Sequence, residues 1–235
     1  MKNIISFDVI IIGGGLAGLT NAIHLSKSIH RVLLIEKNSY PKHKVCGEYI
    51  SNEVLPYLNS LGIDPIKEGA KKINKVQVST AKGNLIKGEL PLGGFGMSRY
   101  FLDILLMKKA QTNGVEVLKD AVNSVVFKKG VFTVQTKDSK YFQSKITIGA
   151  FGKRSLLDFK MNRDFIKRKS PYLAVKMHVK GDFPEDLIAL HNFKGGYCGV
   201  SKVENNLINL CYICLLYTSD AADERSSVDL GGRRI

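Results

Sequence analysis

The chain has 235 residues, 44% of them hydrophobic and 24% charged, with a formal net charge of +14. That balance excludes a disordered or collagen-like polymer, the length excludes a third full-size domain, and no run approaches the roughly 20 apolar residues of a membrane-spanning helix. The four cysteines, Cys46, Cys198, Cys211 and Cys214, are too scattered for a disulfide scaffold, and Cys211-x-x-Cys214 lacks the second ligand pair of a zinc site, so no metal is expected.

In chain order, the first element is an apolar run, Phe7 to Ile12, followed by three glycines instead of a small-residue cleavage site. It reads as a buried parallel strand and not as a secretory signal, and the protein as cytoplasmic. Gly13-Gly14-Gly15-Leu16-Ala17-Gly18 then forms a G-x-G-x-x-G between that strand and a helical pattern from Leu16 to Ser28. The first glycine permits a tight turn, Gly15 lets the backbone approach a pyrophosphate, and Gly18 lets the helix pack on the strand. A diphosphate is expected on the helix N-terminus, where free N–H groups and the macrodipole favour negative charge. A second strand, Arg31 to Ile35, ends at Glu36, close to the roughly 20-residue spacing of a ribose-binding acid. A carboxylate there accepts hydrogen bonds from ribose hydroxyls and repels a 2′-phosphate, which points to NAD or FAD.

The spacing of Val54, Leu55, Leu58 and Leu61 predicts a helix over Asn52 to Leu61, interrupted near its start by Pro56. Lys75 to Thr80 and Asn84 to Glu89 read as short strands of a small sheet. Met97-Ser98-Arg99 opens a helix, Tyr100 to Asn113, with Asp103 and Leu106 at helical spacing. Glu116 to Leu118, Ser124 to Lys128 and Val131 to Thr136 alternate as antiparallel strands, the last two joined at Lys128-Lys129-Gly130. Ile146 to Ile148 runs into the glycine-rich turn Gly149-Ala150-Phe151-Gly152-Lys153-Arg154-Ser155. From Pro171 onward the pattern is strands: Leu173 to Val179, Leu187 to Phe193, Gly196 to Ser201 and Leu207 to Cys211.

These motifs carry a resemblance. Phe7 to Lys37 resembles the dinucleotide-binding segment of flavoproteins of the aromatic-hydroxylase superfamily, and Lys44-Val45-Cys46-Gly47-Glu48-Tyr49-Ile50-Ser51 resembles the loop of geranylgeranyl-reductase-like FAD oxidoreductases. Arg99 with Asp103 and Leu106 is similar to their flavin-contacting R-x-x-L-D-x-x-L-L element, and Gly149 to Ser155 to their G-A-D-G-x-x-S turn. Phe151 replaces the usual Asp and accepts no hydrogen bond, so no polar role passes to position 151. The resemblance implies FAD held by Gly13, Gly14, Gly15, Leu16, Ala17, Gly18, Glu36, Lys37, Arg99 and Gly152, with a backbone contact from Val122 to adenine. NAD(P)H is a candidate electron donor, against which the Phe151 replacement counts, and the resemblance implies Cys46 beside the flavin ring as a candidate catalytic residue, and His191 and Tyr197, around a G-G-Y turn, as candidate substrate residues.

The fold class expected is α/β. A Rossmann-like FAD-binding domain, with a parallel sheet and a small antiparallel sheet, spans 1–170, and the beginning of a β-rich substrate domain spans 171–213. Residues 214–235 break the strand pattern and resemble the in-frame translation of a transposase-type sequencing adapter, a non-native tail. The superfamily's later G-D-A motif is not found, so this chain is expected to bind FAD weakly and turn over little.

The function expected is a FAD-dependent reductase or oxidase acting on an unsaturated, lipid-like or carrier-bound small molecule. A FAD-dependent aromatic monooxygenase is one alternative. An NAD-dependent dehydrogenase is another, although it leaves Arg99 and the Gly149 to Ser155 turn without a role. The non-enzymatic alternative is a basic nucleic-acid or membrane-surface module. Basic residues fall in small groups such as Lys71-Lys72 and Lys128-Lys129 without aromatic interleaving, so no nucleic acid is expected. Peripheral association with an anionic inner membrane face, or attraction of a diphosphate-bearing substrate, suits this charge better.

Overall fold

The six-stranded sheet is parallel where the sequence is most apolar. The computed structural model describes residues 4–153, 155–168 and 170–216. In chain order these form β1 (Ile4–Ile12), α1 (Leu16–Leu25), β2 (Val32–Glu36), β3 (Tyr49–Ser51), α2 (Leu55–Ser60), β4 (Lys71–Ser79), β5 (Leu85–Gly96) and α3 (Arg99–Thr112). There follow β6 (Glu116–Lys119), β7 (Val122–Lys128), β8 (Val131–Thr136), β9 (Tyr141–Gly149), α4 (Leu156–Lys160), β10 (Tyr172–Val179), β11 (Leu187–Phe193), β12 (Gly196–Lys202) and β13 (Ile208–Leu215).

The first sheet has the order β6-β2-β1-β9-β8-β7. β1 runs parallel to both β2 and β9, and β2 parallel to β6. Both faces of β1 are covered, which is why it reads as one unbroken apolar run. Val9 and Ile11 pack with Leu19 and Ile23 of α1 and with Leu102 and Leu106 of α3, while Ile10 and Ile12 join Leu33, Ile35, Val134 and Leu157 on the other side. The expectation of an antiparallel strand at Glu116 to Leu118 is corrected here. β6 pairs parallel with β2, Leu33 opposite Glu116, because α3 returns the chain across the sheet face. β7 and β8 are antiparallel as expected, closed by a two-residue turn in which Lys129 and Gly130 have φ of 52° and 79°.

The second sheet has the order β10-β13-β12-β11-β4-β5-β3. Strands expected in a small sheet of their own, β4 and β5, join those after Pro171 through the parallel β4–β11 pair. Pro56 opens α2 instead of interrupting it, since a first-turn proline forfeits no intrahelical hydrogen bond. β13 continues through Cys214 and Leu215, which pair with Leu173 and Tyr172. Leu216 N–H donates to Pro171 O at 2.7 Å, and residues 217–235 of the segment read as a non-native tail lie outside the described residues. No helix among the described residues is long and apolar enough to cross a membrane.

Candidate functional site

The end of β1 is tied to its neighbours by backbone alone: Gly13 N–H donates to Ile35 O at 2.8 Å and Ala150 N–H to Ile12 O at 2.7 Å. Gly13 has φ of 105°, and a Cβ on it would sit 2.4 Å from Ala150 O. A Cβ on Gly18 would sit 1.8 Å from Gly13 O. Packing therefore demands glycine at both positions. Gly15 differs, because its Cβ would meet only Lys44 Nζ at 3.9 Å and Arg99 Nη2 at 4.0 Å. It is also the N-cap of α1 and supplies no side-chain cap, so the first N–H groups of the helix stay available. Leu16 and Ala17 form the first turn, Leu16 packed towards the core and Ala17 exposed.

The two cations near Gly15 share one carboxylate. Asp103, 1% exposed, accepts from Lys44 Nζ at 2.6 Å and from Arg99 through Nε at 2.9 Å and Nη2 at 3.1 Å. One negative charge against two positive ones leaves a net positive charge at a helix N-terminus, which fits a diphosphate.

Glu36 Oε2 accepts from Gly14 N–H at 2.6 Å, and Oε1 accepts from Asn38 N–H at 2.8 Å and Asn38 Nδ2 at 2.7 Å. Three donors leave one of the about four lone-pair directions of a carboxylate open, as ribose binding requires. Tyr40 Oη donates to Gly14 O at 2.5 Å. Burial, and then the negative charges of Glu36 and Asp103, push its phenol well above the usual tyrosine range.

A cavity of about 140 Å³ brings together Gly13, Glu36, Lys37 and Val122, with Asp120 and Phe151 also in its wall. It lies beside Glu36, at the ends of β1, β2 and β6. Phe151 contributes an apolar wall where the related turn has an Asp. Gly152 is exposed, with φ of 70°, and lies beyond this wall.

A larger cavity, about 750 Å³, opens between the Cys46 loop, the start of α3 and the edge strand β10; His43, Tyr100, Lys176, His178 and Glu204 line it. Behind the wall sits Glu48, which is fully buried and has φ of 55°. Its Oε1 accepts from Lys176 Nζ at 2.5 Å and from Arg99 N–H at 2.8 Å, and its Oε2 lies 2.6 Å from His178 Nε2. A carboxylate only accepts, so His178 Nε2 carries the hydrogen and, in the neutral ring, Nδ1 is left as an acceptor. The His43 ring stacks on Tyr100 at 4.5 Å and meets the edge of His178 at 5.4 Å. Desolvation, then the charges of Lys176 and His178, hold His43 below the ordinary imidazole value. Opposite, Glu204 accepts from the Ser98 N–H at 2.8 Å and from the Ser98 hydroxyl, which in turn caps α3 by accepting from Phe101 N–H.

Cys46 is half-buried outside the wall of this cavity; its Sγ accepts from Glu48 N–H at 3.4 Å, and Asn209 Nδ2 donates to the carbonyls of Cys46 and Gly47. The strand registers separate the two expected substrate residues. Tyr197 pairs with Ile213, and Ile213 with Ala174, which puts Tyr197 on the sheet face of Lys176 and His178. His191 pairs with Cys198 and falls on the opposite face, 2.9 Å from Ser79 Oγ, away from the cavity. Directly opposite partners share a sheet face, while successive residues along a strand alternate between faces. Glu48, Lys176, His178, Glu204 and Asp120 were not singled out from the sequence. The Lys176-x-His178 pair, two polar residues at period 2 in an apolar strand, was the available signal.

The residues 8–45 match the family model for FAD dependent oxidoreductases. The 1H-pyrrole-2-carbonyl-(peptidyl-carrier protein) brominase of Pseudoalteromonas luteoviolacea is 29% identical over 191 residues, 77% of this chain and 47% of that protein. The digeranylgeranylglycerophospholipid reductase of Sulfolobus acidocaldarius is 28% identical over 163 residues, 63% of this chain and 34% of that one. The chain thus spans less than half the length of these curated relatives. The solved structure of a flavin-dependent brominase shares the fold, with a TM-score of 0.75 at 21% identity over 92% of this chain and 58% of its own. The glycine turn and the acid that ends β2 both lie within the segment, residues 8–45, that is similar to the FAD dependent oxidoreductases.

Proposed function

We propose that the chain carries the nucleotide end and part of the reaction cavity of a FAD-dependent reductase or oxidase for an unsaturated, lipid-like or carrier-bound substrate. The observation that carries this reading is the pairing of Lys44 and Arg99 with the uncapped N-terminus of α1, next to the Glu48–His178 pair on the larger cavity. Bound FAD supplies hydride acceptance and donation; the protein supplies placement and electrostatics. Glu36 holds the ribose, and Lys44 and Arg99 neutralise the diphosphate.

On the larger cavity, Glu48 fixes the His178 tautomer through Nε2, and Nδ1 takes or returns the substrate proton. Met177, Phe101 and Leu207 give that cavity an apolar lining, which supports a lipid-like or carrier-linked substrate. NAD(P)H is proposed as the reductant. The net charge of +14 supports peripheral attraction to an anionic membrane face. Little turnover is proposed for the 235-residue chain by itself, because the relatives' activities belong to chains more than twice the matched length.

The test is titration of the chain with FAD, followed by flavin absorbance and fluorescence quenching, with ADP as competitor. Saturable FAD binding reversed by ADP is expected. Tight NAD binding with no FAD binding would replace this reading with the dehydrogenase one. A second reading, aromatic hydroxylation, predicts substrate-stimulated oxygen consumption by the holoenzyme.

A further inference from the structure

In the cavity beside Glu36, Asp120 contributes a buried polar atom that has no hydrogen-bond partner among the described residues. Asp120 is 7% exposed and shares the wall with Lys37, Ala121 and Val122. Its backbone N–H donates to Glu36 O at 3.0 Å, which pins the end of β6 against the end of β2. The two carboxylate oxygens are treated differently. Oδ1 accepts from Ala121 N–H at 2.7 Å, whereas Oδ2 is buried with no hydrogen-bond partner among the described residues. Leaving such an oxygen unpaired costs free energy, and native structures tolerate it where a ligand or water completes the bond.

Resting on the reading of this cavity as the adenosine site, we propose that Asp120 Oδ2 accepts a hydrogen from the exocyclic amino group of the bound adenine, and so selects adenine over 6-oxo purine nucleotides. Ala121 N–H occupies Oδ1, which leaves Oδ2 to meet the base. A carboxylate oxygen accepts and does not donate. The 6-amino group of adenine satisfies it, while the 6-oxo group of hypoxanthine sets two acceptors against each other. The same geometry predicts an inversion in Asp120→Asn. Ala121 N–H then holds the amide oxygen at the Oδ1 position and turns the amide NH₂ into the cavity, where it matches a 6-oxo group and opposes a 6-amino group.

The experiment is calorimetric titration of the 235-residue chain with ADP and with IDP. ADP is expected to bind about tenfold to a hundredfold more tightly, the scale of one hydrogen bond to a charged group. Asp120→Ala should bring the two nucleotides together, and Asp120→Asn should favour IDP. Equal binding of ADP and IDP to the unchanged chain overturns the role of Asp120 and leaves the nucleotide site standing. Discrimination that persists in Asp120→Ala does the same, assigning the selectivity to backbone at Val122. Binding of neither nucleotide overturns the site reading along with the proposal. The comparison on the unchanged chain needs no variant to fold.

Discussion

Glu36 Oε2 accepts the amide hydrogen of Gly14 at 2.6 Å, joining residues 22 apart in sequence. The acid that ends β2 and the glycine turn after β1 are therefore one hydrogen-bonded unit. Removing the acid disturbs both, since the Gly14 N–H loses its acceptor and Asn38 loses two. Glu36→Ala is expected to weaken FAD and ADP binding by about tenfold to a hundredfold. It should also relax the exclusion of 2′-phosphorylated ADP. Calorimetry with ADP and 2′-phospho-ADP-ribose reads both effects.

Gly18→Ala places a methyl group 1.8 Å from Gly13 O, against backbone that cannot rotate away. The helix must shift off β1, at a cost of about 1–3 kcal/mol by the scale of overpacked cores. Lower thermal stability together with lost flavin quenching is expected. Gly15→Ala, whose methyl meets only the ends of Lys44 and Arg99, should keep stability and lose binding. Thermal unfolding and FAD titration of the two variants separate a packing glycine from a ligand-approach glycine.

The Glu48–Lys176 pair is nearly dry, with Lys176 5% exposed and Glu48 fully buried. Breaking such a pair from one side leaves a buried charge, at a cost of about 3–5 kcal/mol. Lys176→Met and Glu48→Gln should each destabilise the protein strongly in urea unfolding, while the double variant should be less destabilised than the sum. Additive losses would mean that the two groups do not interact in solution.

His43 offers a pH readout of the larger cavity. Its folded value lies below the ordinary 6.5, through desolvation first and then Lys176 and His178, opposed by Glu48 and Glu204. As pH falls through 6.5, the unfolded chain takes the proton before the folded one, so this residue lowers stability between 6.5 and its depressed folded value and contributes nothing above 6.5. Histidine NMR titration should give His43 a midpoint below 6.5. Lys176→Met should raise it.

Much of the β1–α1–β2 unit was legible because its determinants are local. A buried strand, a turn that only glycine can make and a following acid lie within residues 7–36, and local chemistry fixes their spacing. Arg99 and Asp103 were legible for the same reason, being one helical turn apart and ion-paired. The larger cavity was not, because Glu48 and His178 are separated by 130 residues and no local pattern joins them.

The sequence by itself determined the α/β class, the glycine turn after β1 and the acid at the end of β2, since periodicity and turn chemistry act over a few residues. Tertiary structure decided the rest through strand register. It made β6 parallel to β2 and merged β4 and β5 with the later strands into one sheet. It turned His191 away from the cavity and brought His178 onto Glu48. Side chains alternate between the faces of a strand, so a shift of one residue in pairing would have exchanged those two roles. Pairing is fixed only when all seven strands have met, which no local stretch of residues encodes.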